Sequence, residues 1–178
     1  MPSNIEIKAV LKNRAEALSI AASLSDGGPE ILTQEDIFFR CEGARLKLRI
    51  FGPDQGELIR YERADVADTR CSRYWIAATP DPQILLSILT ATLGVKGTVK
   101  KVRTLYLIGQ TRVHIDLVQD LGDFLELEVV LRPGQSEAEG KNIAESLLSD
   151  FHIDKEDLIA EAYVDLLARR SESLQRAL

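Results

Sequence analysis

With 178 residues, 45% of them apolar and 28% charged, the chain has the make-up of one soluble globular domain with a substantial core. A net charge of −6 argues against a general nucleic-acid binder, which carries a basic face, and no apolar run is long enough to cross a bilayer. Cys41 and Cys71 have neither metal-ligand nor disulfide spacing and read as packing residues. The opening "MPSNIEIKAV" lacks the basic-then-apolar order of a secretion signal, so a cytoplasmic protein is expected.

In chain order, "NIEIKAVL" alternates as a strand, with Ile5, Ile7 and Ala9 on one face and Asn4, Glu6 and Lys8 on the other. Residues 13–24 predict a helix with Asn13 as N-cap, closed by the turn "SDGGPE". Strands follow at "EILTQEDIFFRC", "GARLKLRIF", "ELIRYER" and "SRYWIAA", with "GPDQG" as a break. "TPDPQILLSILTATLG" predicts a second helix, capped at Thr79 and stopped by Gly94. Leu85, Leu86, Ile88 and Leu89 fit a sheet-covering face, part of which could also join two copies as a homodimer. Strands over 98–108 and 111–118 flank "GQ" as a hairpin, and "DFLELEVVLR" is a further strand. From "GQSEAEGKNIAESLLSDF" the period becomes helical, ending in a short helix around "LIAEAYVDLLARR". About eight strands with few helices indicate an α+β protein built on one closed or nearly closed antiparallel sheet, an eight-stranded barrel with helices outside. The expected extent is one domain over 1–170 and a tail over 171–178.

The strands share an unusual feature: one face is apolar and the other charged. Arg45, Lys47 and Arg49 lie on one face, as do Lys101 and Arg103, Arg112, His114 and Asp116, and Glu126 and Glu128. If helices cover the outside of the barrel, these charges must look inward. A dry interior could not hold them unpaired, because each would cost several kcal/mol. The alternative has apolar faces inward and charges in solvent, and periodicity alone does not choose.

Lys8, Arg45, Lys47, Arg49, Arg63, Lys101, Arg103 and Arg112 are cations. Glu6, Asp116, Glu126 and Glu128 are the accompanying anions. A cationic set within an acidic chain suits a small polyanion, and carboxylates among cations suit Mg²⁺ or Mn²⁺. Those are the general needs of phosphoryl transfer.

At these residues the sequence resembles the CYTH superfamily, the class IV adenylate cyclase and thiamine-triphosphatase group of triphosphate tunnel enzymes. The resemblance rests on "NIEIK", "GARLKLR", "ELIRYER", "RCSRY", "VKKVRTLY", "GQTRVHIDLVQDLGDFLELEVVL" and "AYVDLL", in that order. It implies a small-molecule triphosphate as ligand and catalysis by Glu6, Lys8, Glu126 and Glu128. Lys8, Arg45, Lys47, Arg49, Arg63, Lys101, Arg103 and Arg112 would bind phosphate. Glu6, Asp116, Glu126 and Glu128 would bind Mg²⁺ or Mn²⁺. Tyr61, Ser72 and Tyr74 match polar positions, and the pattern prefers Arg63 to Arg60 as the inward cation. Asn4 departs from the signature, replacing its first Glu with an uncharged amide. Hydrolysis of a triphosphate is the reading carried forward, with cyclisation to cyclic AMP and pyrophosphate, or binding without catalysis, as alternatives. Phe38, Phe39, Trp75 and the tyrosines form no stacking platform, so no nucleic-acid or membrane partner is expected.

Overall fold

The structure, a computed structural model, describes residues 3–62 and 70–176. Arg63 and the side chain of Ser72 lie outside what is described. Eight strands occur in the order β1 (Ser3–Val10), β2 (Gly27–Phe39), β3 (Arg45–Gly52), β4 (Gln55–Glu62), β5 (Arg70–Thr79), β6 (Val95–Ile108), β7 (Thr111–Val118) and β8 (Gly122–Val130). They close into a barrel of order β1-β5-β4-β3-β2-β6-β7-β8, and every neighbouring pair is antiparallel. The helices are α1 (Arg14–Leu24), α2 (Pro82–Leu93), α3 (Glu137–Asp150) and α4 (Tyr163–Arg176). Among the described residues no helix is long and apolar enough to cross a membrane.

The apolar faces of the strands point outward. Ile5, Ile7, Val113, Ile115, Leu125, Leu127 and Val129 are buried beneath Ala17 and Ala21 of α1 and Ala144, Leu147 and Leu148 of α3. This cover is where apolar burial drives folding, at about 25 cal/mol per Å². Asn13 starts α1 by accepting the Glu16 amide at 3.2 Å, and Ser136 and Glu139 form a reciprocal cap on α3. Gly140 lets α3 lie close to the sheet, since a Cβ there would come within 2.7 Å of Ile5 and 2.6 Å of Leu131.

A second apolar cluster lies at one end of the bore. Ala162, Tyr163 and Val164, where α4 begins, pack with Phe38, Val99, Val118 and Phe124 and seal that end. The rest of the interior keeps the charged faces of the strands. Outward apolar faces under helices, with polar faces inward, resolve the ambiguity that periodicity left open.

Several local expectations need correction. "SDGGPE" is not a free turn, because β2 begins at Gly27, which pairs with Leu107 before a bulge leads to the Glu30–Leu105 pair. Gly28 there has φ +110, a conformation natural to glycine. The N-cap position of α2 is Asp81 rather than Thr79, whose hydroxyl instead accepts the Asp81 amide. Ile88 points away from the sheet, whereas Leu85, Leu86 and Leu89 pack on it. Cys41 is exposed rather than packed. The last helix is not short, since α4 runs on to Arg176, across the boundary expected at residue 170.

Candidate active site

The bore contains a cavity of about 320 Å³. Six of the expected cations line it: Lys8, Lys47, Arg49, Lys101, Arg103 and Arg112. They share it with Glu6, His114, Glu126 and Glu128. Strand pairing explains the grouping. Glu6 lies opposite Glu128, Lys8 opposite Glu126, Arg112 opposite Glu128 and His114 opposite Glu126. One wall, made of β1, β7 and β8, therefore carries all four of these acidic and imidazole groups.

The opposite wall is cationic and is organised by a residue that the sequence reading did not single out. Asp36, on β2, accepts Lys47 Nζ at 2.8 Å and Arg49 at 2.8 and 3.0 Å. Lys101 Nζ lies 3.6 Å from the same carboxylate. Burial alone would raise the Asp36 carboxyl, but Lys47, Lys101 and Arg49 hold it well below its ordinary value. Burial, followed by the charge of Arg49, lowers the Lys47 ammonium to about 7.

Between the walls, Arg103 is gripped through two 2.7 Å hydrogen bonds to Asp116, a bidentate geometry that fixes the guanidinium plane. Tyr163 donates its hydroxyl to the same carboxylate at 3.1 Å, and Lys8 Nζ stands 3.8 Å above the Tyr163 ring. Asp116 is fully buried and does not line the cavity. It braces Arg103 and α4, so the structure places it behind the expected metal site. Arg45 also falls outside the lining. It shares the face of Lys47 and Arg49 but sits nearer the sealed end, paired with Asp165 of α4 at 3.2 Å. Arg60 points outward, bonded to Glu62 and lying over Trp75.

His114, Glu126 and Glu128 each offer a ligand atom, all within 4.8 Å of one another. His114 Nδ1 is buried without a hydrogen-bond partner. Burial, reinforced by Arg103, lowers its pKa to about 4, which leaves a neutral imidazole with a lone pair to offer. Glu126 stays ionised: burial opposes its charge, but Lys8 at 3.5 Å and Arg103 at 3.6 Å prevail. Two carboxylates and a neutral imidazole fit a divalent cation, and the nitrogen ligand favours Mn²⁺ over Mg²⁺. Glu6 lines the cavity beside this trio without being one of its three donors. The sequence pattern puts His114 on the face of Arg112 and Asp116 but does not mark it as a metal ligand; its pairing opposite Glu126 does.

Solved structures with the same fold include the PH1012 protein of Pyrococcus horikoshii OT3. It is 23% identical, with a TM-score of 0.80, covering 92% of this chain and 98% of that one. A candidate adenylate cyclase from Vibrio parahaemolyticus is 21% identical, with a TM-score of 0.74 and coverage of 93% and 97%. The adenylyl cyclase candidate HpAC1 from Hippeastrum, described as having a dominant triphosphatase activity, is 15% identical, with a TM-score of 0.65 and coverage of 97% and 96%. These likenesses establish the fold. No curated protein matches the chain. The sequence pattern of the CYTH domain matches residues 3–163, which hold all eight strands, α1 to α3 and the first residue of α4, and the chain belongs to the CYTH domain family.

Proposed function

We propose that the protein is a metal-dependent hydrolase of inorganic triphosphate or of an organic triphosphate, nucleoside or thiamine. The observation that carries this reading is the division of one cavity into two walls. Lys47, Arg49 and Lys101 face a carboxylate–imidazole trio, with Arg103 between them.

Each side suits a different part of the reaction. The cations neutralise phosphate oxygens, and Asp36 and Asp116 hold Arg49 and Arg103 in place beforehand, so little reorganisation is needed as charge builds. Lys8, fixed over Tyr163, adds positive charge at the acidic wall. Glu126, Glu128 and His114 would hold Mg²⁺ or Mn²⁺, which would polarise the phosphoryl group and its attacking water. The apolar seal of α4 keeps bulk water from entering behind the bound phosphates. Water then attacks the terminal phosphorus, the bond from that phosphorus to the bridging oxygen breaks, the remaining diphosphate departs with that oxygen, and the terminal group is released as orthophosphate.

The test supplies the purified protein with triphosphate, thiamine triphosphate or ATP, together with Mg²⁺ or Mn²⁺. Orthophosphate, pyrophosphate and cyclic nucleotide are then resolved. Orthophosphate is expected. Pyrophosphate accompanied by cyclic AMP would replace hydrolysis by cyclisation. Tight binding without any product would make the protein a binding module, with Asn4 as the first residue to question.

A further inference from the structure

Among the described residues, the carboxylates that line the cavity are Glu6, Asp36, Glu126 and Glu128. Asp36 is taken up by Lys47 and Arg49 on the cationic wall, which leaves three for the wall of β1, β7 and β8. That wall also carries Lys8, 3.5 Å from Glu126, and Arg112, 3.3 Å from Glu128. Three anions against two cations give it a formal charge of −1, counting His114 as neutral. One divalent ion at His114, Glu126 and Glu128 reverses that to +1, and a second would raise it to +3. Sites that use two ions for phosphoryl transfer set them about 3.5–4 Å apart, where like charges repel strongly unless carboxylates offset them.

The position where a further carboxylate would serve holds an amide. Alternation puts Asn4, Glu6 and Lys8 on the inner face of β1, with Glu6 opposite Glu128 and Lys8 opposite Glu126. Along its own strand Glu6 therefore has a cation on one side and Asn4 on the other. Asn4 is 2% exposed, and its side-chain oxygen has no hydrogen-bond partner. An amide oxygen can accept or ligate, but it brings no charge to offset an ion.

We propose that Asn4 limits the bore to one divalent cation per chain, held on the wall of His114, Glu126 and Glu128, by placing a neutral amide where a carboxylate would balance a second. This rests on the metal-dependent reading above and adds to it the number of ions and the residue that sets it. Lys47, Arg49, Lys101 and Arg103 then supply the phosphate neutralisation that a second ion gives elsewhere.

Titration of the full chain with Mn²⁺, with no phosphate compound present and the free ion followed by electron paramagnetic resonance, counts the sites without any turnover. It is run at about pH 8, which favours ionisation of a buried carboxyl. The wild type should bind one ion per chain, and Glu128→Gln should weaken that site at least tenfold. Asn4→Asp, a change of nearly equal volume that breaks no hydrogen bond accepted by the side-chain oxygen, should bind two. Asn4→Glu is the second variant if the first does not keep the wild-type circular dichroism. Two ions in the wild type overturn the limit whatever the variants do. One ion in a folded carboxylate variant overturns the part given to Asn4, and an unchanged site in Glu128→Gln overturns its placement. Two wild-type ions with orthophosphate released in the assay above would remove the limit and keep the hydrolase. No bound Mn²⁺ at all would remove the metal trio and the limit together.

Discussion

Arg49 grips Asp36 through both carboxylate oxygens, and Lys47 donates to one of the same two atoms. One buried anion thus holds two cations in contact and a third, Lys101, nearby. Asp36→Asn would leave these charges mutually repelling inside the barrel. Removing one partner of a buried ion pair costs about 3–5 kcal/mol, so urea unfolding should show a loss of that size. The acid limb should change too. Because the native Asp36 pKa is depressed, its contribution is complete above about pH 4 and disappears as pH falls toward the native value. The variant should lack that part of the acid dependence.

Lys47 makes a prediction of opposite sign for binding. With its ammonium lowered to about 7, the free protein loses this cation as pH rises above neutrality. Affinity for triphosphate should decline by up to about tenfold per pH unit there. Lys47→Arg keeps its charge throughout and should flatten the profile; an equally steep profile in the variant would exclude Lys47 as the cause. Fold stability should behave differently, rising between about pH 7 and about 10, because there the unfolded chain holds the lysine proton more firmly than the native one.

Glu126 touches Lys8 and Arg103 and belongs to the candidate metal trio. Arg103 keeps Asp116 if Glu126 is changed. Glu126→Gln should therefore lower Mn²⁺-dependent phosphate release by on the order of 100-fold, with less stability lost than in Asp36→Asn. Equal losses of fold in the two variants would assign Glu126 a structural part instead.

Arg49 and Arg60 test which face of the sheet matters. Arg49→Ala should weaken triphosphate binding by about tenfold or more, as expected for lost charge-assisted hydrogen bonds of about 1.5–3 kcal/mol. Arg60 lies outside the barrel against Trp75, and Arg60→Ala should stay within about twofold, the range of ordinary surface changes. Equal weakening in both would contradict the strand orientation.

The alternation of charged and apolar residues made the strands and their two faces readable from sequence. It did not reveal which face was covered, because that depends on where α1 and α3 dock. Nor does periodicity measure depth along a strand. Arg45 has the same orientation as Lys47 and Arg49, yet two residues of extended chain carry it to Asp165 instead of the cavity. Asp116 likewise lies on the proper face but pairs across from Phe124, level with the apolar seal. Asp36 was missed because "TQEDIFF" reads as a strand with one acid among several, although Gln34 and Asp36 oppose Ile37 and Phe39 by the same alternation. Tyr163 falls in "AYVDLL", a segment that supports the resemblance, but strand alternation gives it no role, since its contacts with Asp116 and Lys8 come from where α4 enters the barrel end.

The root of α4 also ties the last helix to the chemistry of the bore. Tyr163 packs its ring on Phe124, gives its hydroxyl to Asp116 and carries Lys8 over its face, and Asp116 in turn holds Arg103. Loosening that one helix would therefore disturb an arginine and a lysine of the site together, although α4 belongs to no strand of the barrel.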